Sequence, residues 1–397
     1  MKRVSNLYHQ ICDIDNIMKF AHIVCVNTKN KKKVEEFEEH YIENVYKIRE
    51  KLISKTYIPG RYNIFFIHEP KLRLIMSQNI EDKIINHLVA YYFLVKIFEP
   101  TFIDTTVATR VGRGTHYGLN TLKKYLNQMK RNYNNFFYLK FDIKKYFHNI
   151  DHNITKNIIR TKIKDKDVLN LLDKLIDSTD EEYVNNEIIN LKKNEIDRIN
   201  KLNISQKEKD IKIEEVNKIP LCSKGKSSPI GSMCSQIIAI MYLDKLNHFI
   251  KEKLHIKKYI LYMDDGLLIH EDKNYLKYCY NEIEKYLKTL KLELNLKKSR
   301  IDSIKNGIDF LGFKFYIKNK RIIIKVRNTT KKNFKKKLKK VNKLYFEKAI
   351  SDLDRKCIID SYKGHLSYGD CDNLIKSVIE KDIVCIWQNL KIEVVFR

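Results

Sequence analysis

The sequence predicts an α+β chain with a small antiparallel sheet held between helices. Two apolar runs, Phe136 to Phe141 and Lys258 to His270, have the length and the aromatic and β-branched content of buried strands. A third set of strand-like segments lies at residues 308–326. Most of the remaining chain repeats apolar residues every three or four positions, as helices packed on a sheet do.

Within residues 1–56, Val34, Phe37, Tyr41, Val45, Ile48 and Leu52 form one apolar helical stripe that stops near Pro59-Gly60. Tyr62 to Ile67 reads as a strand, followed by the basic segment Glu69-Pro70-Lys71-Leu72-Arg73. Residues 80–99 return to helical spacing through Ile84, Leu88, Tyr91, Tyr92 and Val95. Gly112, Gly114 and Gly118 mark a flexible loop around Arg110, Arg113, Thr115 and His116. Residues 178–220 are highly charged and free of glycine, which reads as an insertion or a solvated helical arm. A helix over 228–250 is opened by a Pro-Ile-Gly turn, and 258–270 reads as strand, tight turn, strand, with Asp265-Gly266 as the hairpin signal. Residues 274–294 form an amphipathic helix. From about 330 the chain becomes a lysine-rich helix with Phe334, Leu338, Val341 and Tyr345 on one stripe.

The 397 residues suffice for two or three packed subdomains, and 43% hydrophobic content excludes a disordered chain. Lysine and arginine outnumber the acids 77 to 49, for a formal charge of +28. That excess points to a polyanionic partner, nucleic acid first and an anionic membrane surface second, although a general richness in Lys, Ile and Asn contributes. The eight cysteines form no C-x-x-C pair and no zinc spacing, so they read as reduced, mostly buried thiols of a cytoplasmic protein. The N-terminus lacks signal-peptide character and no segment is apolar for long enough to span a bilayer, so no membrane partner is expected.

The chemistry-bearing pattern is a pair of acidic strand ends. Asp142 closes one apolar strand, and Asp264 and Asp265 sit at the tip of an apolar hairpin. Carboxylates against such strands are costly without a cation to neutralise them. If the strands are neighbours, three carboxylates converge, and a pair of magnesium ions is the natural compensation. Two metals about 3.5–4 Å apart can activate a 3′-hydroxyl and stabilise a leaving pyrophosphate. A Tyr-x-Asp-Asp tetrapeptide alone could equally be a solvated turn.

It does not occur alone. Phe-Asp-Ile-Lys-Lys-Tyr-Phe (141–147), Pro-Ile-Gly-Ser-Met-Cys-Ser-Gln (229–236), Tyr-Met-Asp-Asp (262–265), Leu-Asn-Leu-Lys-Lys-Ser (294–299) and Phe-Leu-Gly-Phe (310–313) follow in that order. Together they resemble prokaryotic reverse transcriptases of the group II intron-like branch over about residues 30–370. The Ile230 variant of a turn that is usually Pro-Gln-Gly is similar to enzymes of diversity-generating retroelements and of defence-associated groups.

The resemblance implies a right-hand polymerase fold. Residues 1–135 would supply N-terminal helices and fingers, 136–315 the palm with the charged insertion 178–220, and 316–397 the thumb and C-terminal helices. It implies Asp142, Asp264 and Asp265 as metal ligands, helped by the Ile143 carbonyl, with two magnesium ions or manganese in their place. Phe147 matches the aromatic gate that excludes a ribose 2′-hydroxyl; its competing reading is ordinary core packing. Lys71 and Arg73 match the finger residues that hold the triphosphate, against a solvated charge pair. Lys298 matches the lysine that protonates pyrophosphate, with Lys297 next to it as the rival. Ile230 and Gly231 would face the nucleotide and the templating pair, and Phe310, Leu311 and Gly312 match the turn that grips the primer end. His116 and His365 read as packing or backbone-bonding histidines.

The implied activity is RNA-directed DNA synthesis from deoxynucleoside triphosphates. A structured non-coding RNA would be the template and cDNA the product, in antiphage defence. The alternatives are a mutagenic retroelement enzyme, an untemplated or protein-primed abortive-infection polymerase, an RNA-copying RNA polymerase, and a silent RNA-binding relic. The lysines of 331–343 would track the duplex through phosphates. The insertion would meet RNA, an accessory protein or a second copy of the chain, or serve as a spacer.

Overall fold

The computed structural model describes residues 3–69, 71–319 and 321–376; Pro70 and Cys385 lie outside them. Among the described residues, nine strands form three antiparallel sheets. Strands β1 (Asn63–Ile67) and β2 (Arg73–Ser77) make a hairpin. Strands β3 (Phe137–Asp142), β4 (Tyr259–Tyr262), β5 (Asp265–His270) and β6 (Arg300–Ser303) form a sheet in the order β4-β5-β3-β6. Strands β7 (Ile308–Phe310), β8 (Phe313–Lys318) and β9 (Arg321–Val326) form the third.

The central sheet separates two cores, because side chains alternate across a strand. On one face, Leu139, Phe141, Leu261 and Leu268 join the helices Ile14–Asn27, Ile80–Val89, Met233–Tyr242 and Lys273–Thr289 in the larger core. On the other, Tyr138, Ile260, Leu267 and Ile269 meet Phe310, Phe313 and Phe315, and the helices Thr115–Asn132, Asn328–Phe346 and Asp352–Leu366. By the same alternation Lys140, Asp142 and Asp265 fall on the second face, at the end of the sheet where β3 finishes.

Three readings of the sequence are corrected here. The stripe from Val34 to Leu52 belongs to two helices, Lys31–Glu38 and Tyr41–Ile53, broken at Glu39–His40. The hairpin turn is Met263–Asp264, since Tyr262 pairs with Asp265 across β4 and β5, and Met263 takes the positive φ of 54°. Gly266 lies inside β5 opposite Phe141, where a Cβ would stand 2.1 Å from the ring; the glycine answers to packing, not to a turn. The charged insertion is not merely solvated. It folds into helices Glu182–Asn200 and Gln206–Asn217, and Val184 and Ile188 of the first bury against Tyr62, Leu74 and Met76 of the β1–β2 hairpin region.

Among the described residues no helix is long and apolar enough to cross a membrane. The seven described cysteines are free thiols, and five of them are buried, in line with the expectation that most would be; Cys12 is half-buried and Cys357 exposed.

Candidate active site

Asp142 ends β3, one of the two interior strands of its sheet, and its Cα partner is Asp265 of β5. Its carboxylate is buried, with the residue 5% exposed, and carries a dense set of donors. Lys298 Nζ lies 2.7 and 2.8 Å from its two oxygens, and Asn295 Nδ2 donates to Oδ2 at 2.9 Å. The Asp142 backbone N–H donates to Ser299 Oγ at 3.2 Å, and its carbonyl accepts from the Asn295 N–H at 2.7 Å. Segment 293–299 therefore wraps the strand end. Lys144 N–H bonds Glu293 O at 2.9 Å on the other side of the Ile143–Leu294 pair, which leaves the Ile143 carbonyl directed away from that segment.

Asp264 occupies the two-residue turn. Burial, and then the neighbouring negative charge of Asp142, push its carboxyl up to about 6; Asp265 adds to this and Lys298 opposes it. A strand-end carboxylate and a turn carboxylate thus lie close enough to repel one another in a poorly solvated space. Asp265 is turned partly aside, with Oδ2 3.4 Å from Lys140 Nζ, whose ammonium also donates to Asp309 O at 3.2 Å. As a set, the three aspartates do not close as tightly as His152, Asp177 and Asp180, the group of three described residues whose ligand atoms all lie within 4.8 Å of one another.

The donor set suits a hard divalent cation: acidic oxygens, a free-facing carbonyl and a raised carboxyl that a cation would return to its charged form. Lys298 supplies a single positive charge at Asp142, and of the two neighbouring lysines it is Lys298 that makes this contact.

Phe147 stands two residues past Lys145, which takes φ 48°; it is half-buried, packs edge-on to Tyr146 at 5.8 Å and lies against the larger core. Its carbonyl accepts from Ser228 N–H at 2.8 Å. Ile230 O accepts from Met76 N–H at 3.1 Å, which docks the Ile230–Gly231 turn on β2; Gly231 has φ 125°. Lys71 and Arg73 are exposed at the tip and start of that same β1–β2 hairpin. Leu311 and Gly312, at φ 47° and 92°, form the tight β7–β8 turn, flanked by the fully buried Phe310 and Phe313. His116 and His365 gather around Tyr368 and Phe313: ring centroids lie 4.8 Å apart for His116–Tyr368 and 5.1 Å for Phe313–His365, a packing role.

Sequence reasoning missed Lys140, Asn295 and Ser299. Lys140 was detectable, because two positions before Asp142 in a strand places it on the same face. Asn295 and Ser299 stand inside the 294–299 motif, but nothing in its residues assigned either of them to Asp142.

The chain matches reverse transcriptase (RNA-dependent DNA polymerase) over residues 67–315. The group II intron-encoded protein LtrA of Lactococcus lactis subsp. cremoris is 30% identical over 137 residues, 34% of this chain and 22% of that protein. The putative COX1/OXI3 intron 2 protein of Saccharomyces cerevisiae is 25% identical over 198 residues, 44% of this chain and 23% of that protein. The chain thus aligns with under a quarter of the length of these relatives. Among solved structures, apo telomerase from Candida tropicalis has a TM-score of 0.42 at 14% identity, covering 71% of this chain and 60% of that one. Telomerase from Candida albicans with a fragment of telomeric RNA has a TM-score of 0.39 at 14% identity, covering 74% and 50%. With more than half of its length, palm sheet included, inside the match, the chain belongs to the reverse transcriptase family.

Proposed function

We propose that the chain is an RNA-directed DNA polymerase that extends a primer 3′-hydroxyl at Asp142 and Asp264, copying a structured non-coding RNA into cDNA in antiphage defence. One observation carries the reading: the strand-end carboxylate of Asp142 and the turn carboxylate of Asp264 act on one another, burial and then Asp142 raising Asp264, with Lys298 as the compensating ammonium at Asp142.

Two magnesium ions held by Asp142, Asp264 and the Ile143 carbonyl, with Asp265 beside them, would activate the 3′-hydroxyl and neutralise the leaving pyrophosphate. The protein's own groups do the rest. Lys71 and Arg73 draw the triphosphate toward the palm from the finger hairpin. The Phe147 ring fills the space a 2′-hydroxyl would need. The Ile230–Gly231 turn lets backbone approach the nascent pair, because Gly231 has no side chain there. The Phe310–Leu311–Gly312 turn supports the primer end. Lys298, once released from Asp142, presents an ammonium proton to a pyrophosphate oxygen.

The test is primer extension by the purified chain on an RNA template with deoxynucleotides and magnesium. The parent should synthesise DNA, and Asp264→Asn should lose at least about 10³-fold of that rate while still binding the duplex, as expected when charge stabilisation is removed. Equal rates in the two proteins, or synthesis from ribonucleotides alone, would overturn the reading. The defence role rests on the helical arm and the Ile230 turn, both departures from the commonest retroelement pattern. Sequencing the nucleic acids that co-purify with the chain separates it from mutagenic retrohoming.

A further inference from the structure

The loop that delivers Ile230 and Gly231 is stitched to its neighbours at several points. Ser227 N–H donates to Ile150 O at 3.0 Å and Ser228 N–H to Phe147 O at 2.8 Å. Ser227 itself has φ 95°, a conformation that costs free energy for any residue with a side chain and persists only when its surroundings enforce it. One of the groups that holds it is His152. It is 2% exposed, and its Nε2 lies 2.8 Å from the Ser227 carbonyl oxygen, an acceptor. Its backbone N–H donates to Gly225 O at 2.9 Å.

The opposite edge of the same imidazole faces the root of the helical arm. Nδ1 lies 3.2 Å from Asp177 Oδ1 and 3.4 Å from Asp180 Oδ2. Asp180 in turn accepts from Gly225 N–H at 2.9 Å, and Lys156 Nζ pairs with Asp177. The ring stands between the two carboxylates and Lys156 already supplies a cation to one of them, so the cluster is a braced junction and not a vacant ion site. The arm leaves this junction after Asp180 and returns at Cys222, five residues before Ser227.

We infer that His152 is a positioning residue for the incoming nucleotide: by clamping the Ser227 carbonyl it sets the spacing between Phe147 and the Ile230–Gly231 turn, and through Asp177 and Asp180 it ties that spacing to the root of the helical arm. The inference rests on the polymerase reading above. His152 makes no contact with the aspartates of the site, so it acts on how tightly a nucleotide is held and on ribose discrimination, not on the chemical step.

The experiment measures steady-state primer extension by the full chain as parent, His152→Asn and His152→Gln. A glutamine amide reaches about as far as Nε2 and can still donate to Ser227; an asparagine reaches only the Nδ1 position. His152→Asn should raise the KM for deoxynucleotide about fivefold, the equivalent of one lost hydrogen bond, with kcat within about twofold and weaker exclusion of ribonucleotides. His152→Gln should restore the parental KM. If His152→Asn does not fold, Asp180→Asn decides by the same readout, with a smaller KM rise expected. A parent that makes no DNA overturns the polymerase reading and this inference together. An active parent whose variants keep the parental KM, or lose only kcat, overturns this inference alone.

Discussion

Gly266→Ala is the sharpest probe of how the sheet builds the site. Gly266 pairs with Phe141 across β3 and β5, one residue from Asp265 on its own strand and one from Asp142 on the other. A Cβ there would stand 2.1, 2.2 and 2.7 Å from three carbons of the Phe141 ring. Carbon contacts prefer at least about 3.5 Å, so ring or strand must shift by about 1.4 Å. The ring is fully buried in the larger core, with Ile237, Ala239 and other buried neighbours of the Met233–Tyr242 helix in the same cluster, and cannot swing aside. Overpacking of this kind costs about 1–3 kcal/mol, and the ring's confinement puts the expected loss near the upper end. A displacement of about 1 Å at reacting groups costs about 10²-fold in rate. Urea unfolding and primer extension should therefore show Gly266→Ala about 2–3 kcal/mol less stable and about 100-fold slower than the parent. Adding Phe141→Leu, which shortens the obstructing side chain, should recover part of both losses, with a favourable coupling of about 1 kcal/mol. Parental behaviour of Gly266→Ala, or strictly additive losses in the double variant, would refute the steric account.

Three further outcomes are expected. Lys298→Ala should lower stability by about 1 kcal/mol in chelator, a modest figure because the lysine side chain is 52% exposed, and the difference should vanish when magnesium saturates the site; an unchanged chelator-phase urea midpoint would show that the ion pair holds nothing. Ile230→Gln should lower the error frequency over a defined template, since a glutamine adds a polar contact near the pair; equal error spectra would refute it. Burial lowers the His148 imidazole from 6.5 to about 4, so the unfolded chain binds a proton that the folded chain does not between those values. Stability is thus full above about pH 6.5 and falls as pH drops toward 4, by up to about 3 kcal/mol from this residue. His148→Gln should flatten the drop in urea midpoint between pH 7 and 5, and a slope as steep as the parent's would exclude His148 as its source.

What could be read from the sequence was whatever depends on local order. The alternation of Phe136 to Asp142, the helical spacing of 80–99 and the ordered motifs around Asp142, Asp264 and Phe310 need no partner to be recognised, because strand and helix periodicities are written residue by residue. Those patterns sufficed for the α+β class, the family and the acidic strand ends. Tertiary structure decided what each residue faces. Gly266 looked like a turn former and is a gap for the Phe141 ring. Lys297 and Lys298 are equivalent in sequence, and only the path of residues 293–299 around the end of β3 brings Lys298 to Asp142. His152, Asp177 and Asp180 are spread over 29 positions and carry no motif, yet they meet at the root of the arm. Contacts between distant segments depend on how helices and sheet pack in three dimensions, and a side chain's partner across such an interface leaves no periodic trace in the chain that bears it.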